Sequence, residues 1–123
     1  MIFFLTVEQV IFIHDLQLED YGGLPGFRDR GLVEGMVARV ENLRVYQEEN
    51  DLFILAASLL LSIVRGHGFN DANKRTAAAC AMIFLDMNGI TLTPDDEFAD
   101  FVVEAAQGMH DVETVASELR KLT

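Results

Sequence analysis

The chain has 123 residues, half of them apolar, with two prolines and a single cysteine, a composition that suits one folded domain and argues against disorder. A formal net charge of −11 excludes general nucleic-acid binding and docking on anionic lipid, both of which need a basic face. Any anionic ligand must therefore find a local positive pocket within a negative field.

The opening MIFFLTVEQV lacks a basic n-region and a small-residue cleavage site, so it does not read as a signal peptide. Thr6, followed three residues on by Gln9, marks a capping box. Val10 and Ile13 then recur at helical spacing up to about Glu19. His14–Asp15 within this helix reads as a partly exposed histidine beside a carboxylate rather than as a catalytic pair. Tyr21–Asp29 holds three glycines and a proline and must turn tightly. It is either a plain connector or an ordered rim, with Arg28–Asp29 pinning it or touching ligand. Asp29 also suits the N-cap of a second helix that carries Leu32, Val33, Met36, Val37 and Val40 on one face. Gly35 inside that helix implies a close helix contact. Glu41–Asn50 reads as a solvated helix end and turn.

Asp51 caps a third helix, Leu52–Val64, apolar on nearly every face and therefore central. It falls short of the roughly 20 residues that cross a bilayer. A fourth helix runs from about Ala72 to Met87 and is stopped by Asn88–Gly89. Its Ala-rich run contains Cys80, which permits no internal disulfide and reads as a packed, inert thiol suited to a reducing cytoplasm. Thr93-Pro94-Asp95 opens a fifth helix with Phe98, Phe101, Val102 and Ala105, ended by Gly108. Asp111 caps a short last helix through Val115 and Leu119. Only Ile90–Thr93 alternates with period two, so the expected fold class is all-α, a bundle of about six helices forming a single domain over residues 1–123.

Between the third and fourth helices stands RGHGFNDANKRTAA, Arg65–Ala78, a density of polar groups that is costly between core elements unless it carries chemistry. The start of the fourth helix falls here, and a helix N-terminus offers unpaired N–H groups and partial positive charge to an anion. Asn73, Lys74 and Arg75 lie in that first turn, a nest for polyphosphate. Asp71 beside phosphate implies a divalent cation between them, and carboxylate with phosphate oxygens is how Mg²⁺ is held. His67, an imidazole able to take up a proton, suits a general base. Phe69 anchors the loop in the core. Catalytic His67, Asp71, Lys74 and Arg75, with Asn73, Lys74 and Arg75 binding nucleotide, describe phosphoryl or nucleotidyl transfer. Read singly, each residue has a plain alternative: His67 a helix C-cap, Asp71 an N-cap, Lys74–Arg75 an exposed pair. A metal site of His67 and Asp71 alone lacks a third ligand.

The string HGFNDANKR resembles the loop of the Fic superfamily, commonly HPFxxGNGRxxR, and is closest to the Doc toxins, whose loop reads HxFxDANKR. The earlier HD…YGGLPGFRD segment is similar to the start of Doc proteins. The resemblance implies a compact helical fold and a toxin partnered with a small antitoxin. It further implies an ATP-dependent kinase that phosphorylates a threonine of elongation factor Tu and halts translation. On it, His67 would deprotonate the target hydroxyl, Asp71 would hold Mg²⁺, and Asn73, Lys74 and Arg75 would hold the phosphates. Lys74 stands where nucleotidyl-transferring members have glycine, and Ala78 where they have the later arginine. The lysine fills space near the backbone, so ATP would present its γ- rather than its α-phosphate. Gly68, in place of the common proline, is expected to loosen the loop. AMP transfer to a protein hydroxyl, or a silent module acting through its antitoxin, are the alternatives. A groove of the first two helices and the Gly-rich loop would receive an amphipathic antitoxin segment.

Overall fold

The computed structural model describes residues 1–123 as six helices: α1 (Val7–Tyr21), α2 (Arg30–Tyr46), α3 (Leu52–Gly66), α4 (Asn73–Met87), α5 (Phe98–Ala106) and α6 (Val112–Lys121). The all-α expectation holds. The side chain of Asp51 starts α3 by accepting from the Phe53 amide at 2.9 Å, and every residue from Ile54 to Val64 is buried. With no side left for solvent, α3 becomes the axle: α2, α4, α5 and α6 all pack on it, while α1 packs on α4 and α2. One continuous core of 30 buried residues joins all six helices. No helix is long and apolar enough to cross a membrane.

Local chemistry sets most helix ends. At α1 both bonds of the capping box form, Gln9 N to Thr6 Oγ1 at 3.1 Å and Thr6 N to Gln9 Oε1 at 2.8 Å. Asp29 and Asp111 cap α2 and α6 through the amides of Gly31 and Thr114, each at 2.8 Å. The fifth helix begins later than Thr93–Asp95 suggested. There Asp95 accepts from the Glu97 amide at 3.1 Å and forms a turn, and regular helix starts only at Phe98. Cys80 is fully buried, and loss of hydration pushes its thiol up to about 12, so it stays protonated and unreactive.

Two expectations about glycine are corrected. Gly35 sits on the outer face of α2, where a Cβ would meet open space, so it marks no close helix contact. The tight glycines against α2 are Gly66 and Gly68: a Cβ at Gly66 would clash with Met36 Cε, and one at Gly68 would come within 2.9 Å of the same atom and 3.0 Å of Val33 Cγ2. Gly68 does not loosen the turn after α3. It lets the turn nest against α2, and its carbonyl accepts from the Arg28 amide at 2.9 Å.

Candidate active site

The working turn is bracketed by two residues in left-handed backbone, His67 (φ 49, ψ 40) and Ala72 (φ 64, ψ 24). Neither is glycine, so the surroundings must hold them there, and strain of this kind collects at functional sites. Between them Phe69, 1 % exposed, drives into the core. Its ring stacks on the His14 ring, with centroids 3.8 Å apart and planes at 7°, and meets Phe27 at 5.9 Å on another side. Asn73 grips the Phe69 backbone on both sides: Oδ1 accepts from Phe69 N at 3.3 Å, and Nδ2 donates to Phe69 O at 3.1 Å.

The Gly-rich loop is no plain connector. Phe27 pairs with Phe69 in a one-residue antiparallel bridge, and the Asn70 amide donates to Gly26 O at 3.1 Å. Asn70 Nδ2 donates to Pro25 O at the same distance, 3.1 Å. The Leu24 amide donates to Asp71 Oδ2 at 3.1 Å. Only glycine fits at 23: its φ is +132°, and a Cβ would lie 2.8 Å from Asp71 Oδ2. Arg75 completes the closure, donating to Gly22 O at 2.9 Å and lying 5.6 Å from the Tyr21 ring centre. The rim reading is therefore the correct one, although the pinning runs through backbone, Asn70 and Arg75 rather than through the Arg28 and Asp29 side chains.

Electrostatics converge on the start of α4. Helices α1, α2, α3 and α6 each begin with a Thr or Asp side chain accepting a first-turn amide. At α4 the N-cap is Ala72, which has nothing to offer. The first internal bond of the helix is Thr76 N to Ala72 O at 3.0 Å, so the amides of Asn73, Lys74 and Arg75 have no acceptor within the protein. Three bare N–H groups at a helix start form an anion nest. Asp71 does not cap them: its Oδ1 accepts from Ala72 N at 2.8 Å, one residue too early. Hydrogen bonds from the Leu24 and Ala72 amides hold the Asp71 carboxyl below its usual range, helped by Arg75 and His14, so it is ionised at neutral pH. Lys74 is exposed and paired with no carboxylate. His67 is exposed, and its imidazole makes no hydrogen bond within the protein, although its backbone caps α3 as the plain alternative held.

Beside the nest, Lys74, Arg75 and Ala78 of α4 face Pro94, Phe98, Ala99 and Val102 across a hollow of about 360 Å³. A larger one, about 620 Å³, lies between α2, α3 and α6 and contains none of the turn's residues, whereas the smaller takes Lys74 and Arg75 into its lining. Sequence reasoning missed His14. Expected to be partly exposed, it is 1 % exposed, with Nε2 at 2.9 Å from the carbonyl oxygen of Asp71. The adjacent Asp15 drew the eye to solvent; burial depended on a partner 57 positions away.

A helical scaffold that sets an ionised carboxylate and two cations at a bare helix start, with an exposed, unbonded histidine at the other end of the same turn, is an architecture suited to handling phosphate. The chain belongs to the Fic/DOC family, whose sequence model matches residues 4–85, from before α1 to near the end of α4. It is 44% identical over 118 residues to the Protein kinase doc of Escherichia phage P1, covering 96% of this chain and 94% of that one. It is 39% identical over 106 residues to the Toxin Doc of Mycolicibacterium smegmatis (strain ATCC 700084 / mc(2)155), covering 80% of this chain and 79% of that one.

Proposed function

We propose that this chain is the toxin of a toxin–antitoxin pair, a kinase that moves the γ-phosphate of ATP to a threonine hydroxyl of elongation factor Tu and so inhibits translation. The observation that carries the reading is the bare start of α4, with the Asp71 carboxylate just before it and the exposed His67 at the other end of the same turn. The names of the two relatives support kinase and toxin.

The residues divide the work as follows. The free amides of Asn73, Lys74 and Arg75 receive phosphate oxygens, and the Lys74 ammonium neutralises charge on them. Arg75 keeps N–H groups beyond those engaged by the Gln17 and Gly22 carbonyls, because a guanidinium carries five. The Asn73 side chain, engaged on Phe69, holds the turn in shape and leaves only its backbone N–H for phosphate. No group of three or more His, Cys, Asp or Glu is gathered to hold a metal alone, and one partly exposed carboxylate beside a phosphate nest fits Mg²⁺ shared with nucleotide. Asp71 would hold that ion, which when bound neutralises charge on the phosphates. The apolar wall of α5 around the hollow of about 360 Å³ suits the nucleoside. His67 accepts the proton of the target hydroxyl as its oxygen bonds the γ-phosphorus; the bond to the β–γ bridging oxygen breaks and ADP leaves with the electron pair. Exposed Phe12, Leu16, Leu24, Phe27 and Leu32, on α1, the loop and α2, suit the apolar face of an antitoxin helix.

The test is the intact mass of purified elongation factor Tu after incubation with the protein and Mg-ATP. One added phosphate is expected. One added AMP would replace the kinase with AMP transfer, and an unchanged mass would remove this substrate. Lys74→Gly should reopen space near the backbone and shift part of the label transferred to protein from γ- to α-³²P. A variant moving only the γ label would refute the steric account of ATP orientation.

A further inference from the structure

The geometry points to His14 as a positioning residue: from behind the turn it sets the carboxylate that would share Mg²⁺ with nucleotide. This rests on the reading of Asp71 as that carboxylate. His14 itself touches no ligand, being 1 % exposed and covered by the stacked Phe69 ring.

One peptide group links the two residues. The Asp71 carbonyl can only accept, so the His14 Nε2 that faces it at 2.9 Å must carry the proton. The other end of the same peptide, Ala72 N–H, donates to Asp71 Oδ1 at 2.8 Å. The Asp71–Ala72 peptide is thus fixed at both ends, at the point where the chain passes through left-handed backbone. With one carboxylate oxygen tied to that peptide and the other met by Leu24 N, the direction of the Asp71 side chain follows from where His14 holds the carbonyl. The stacked Phe69 ring, with planes at 7°, fixes the imidazole about its remaining free rotation. A residue needed only to fill the core would gain nothing from a ring nitrogen. Phenylalanine would stack on Phe69 equally well and would be easier to bury. The imidazole is distinguished by the donor at Nε2.

Two substitutions separate donor from filler. His14→Phe keeps a flat ring against Phe69 and loses the donor. His14→Gln gives up the ring and keeps an amide N–H in the region of Nε2. The measurement is calorimetric titration of ATP into each protein, once with excess Mg²⁺ and once with EDTA, with Asp71→Asn as the reference and thermal melts to confirm folding. In the unsubstituted protein Mg²⁺ should tighten ATP binding by about tenfold or more, and Asp71→Asn should abolish that advantage. Partners that orient a metal ligand typically matter by 10–100-fold, so His14→Phe should lose about tenfold of it. Metal-free ATP binding should stay within about twofold in His14→Phe and His14→Gln, because both leave the amide nest in place. His14→Gln should keep the advantage to within about threefold. Folded His14→Phe with the full advantage overturns the assignment. So does a folded His14→Gln that has lost it as completely as Asp71→Asn, which keeps the proposal refutable if His14→Phe does not fold. An equal fall with and without Mg²⁺ also overturns it, since the turn would then have collapsed as a whole. Absence of any Mg²⁺ advantage in the unsubstituted protein would overturn the Asp71 reading and the role of His14 together, which distinguishes the two failures.

Discussion

His67→Ala is expected to lower phosphoryl transfer to protein by about 10²–10⁴-fold, the usual contribution of a positioned general base. It should leave the melting temperature nearly unchanged. The two halves follow from one fact: the imidazole is exposed and makes no hydrogen bond within the protein, so its removal breaks nothing in the fold. Surface substitutions of that kind stay within about 0.5 kcal/mol. The backbone adds a small cost, because alanine accepts left-handed φ and ψ less readily than histidine, and the 49°, 40° conformation at the end of α3 must persist. ATP affinity should hold, since the nest lies at α4 and not at His67. The checks are initial rates with γ-³²P-ATP, a thermal melt, and growth of cells expressing each form. Growth arrest by His67→Ala equal to that of the unsubstituted chain would mean that toxicity needs no base and comes from binding alone.

What could be read from the sequence was whatever rests on neighbours. Caps lie within three residues of the amides they satisfy, so Thr6, Asp29, Asp51 and Asp111 announced four helix starts. The unbroken apolar run before Arg65 could only be central. His67, Asp71, Asn73, Lys74 and Arg75 fall within nine residues of one turn, so their closeness was visible before any fold was known. What escaped were long-range partners. Burial of His14 is decided by Phe69 and the Asp71 carbonyl, and the loop closure by Leu24 and Gly23 against Asp71. Glycine carried the same ambiguity: Gly35 looked like a close contact and faces solvent, while Gly68 looked like slack and is wedged under Met36. A glycine's neighbours in the chain do not say whether its missing side chain is used by space or by backbone. The role of Asn73 was half legible, its place at the helix start being local and its grip on Phe69 a matter of how the turn folds back.

Phe69→Ala should destabilise the protein by about 3–5 kcal/mol, the range for removing a fully buried phenylalanine. At a size between small and medium domains this lowers the melting temperature by roughly 10–20 °C. The ring lies between His14 and Phe27, so its loss opens a cavity with walls from α1 and from the Gly-rich loop. Neither wall can close it easily: His14 is tied to the Asp71 carbonyl, and the loop is bonded to the turn at Gly26 and Gly68. Phe69→Leu, which keeps most of the volume and loses the stack, should cost less than half as much. Below its new melting temperature the alanine variant should also bind Mg-ATP more weakly, because the Phe69 backbone is what Asn73 grips at the start of the nest. Loss of stability with unaltered Mg-ATP affinity would show that the nest keeps its shape without the anchor. A shift of only 1 or 2 °C, on the order of ~0.5 kcal/mol, would show that α1 and the loop collapse onto the vacated space. The rigid tie between His14 and the Asp71 peptide could then not be as drawn.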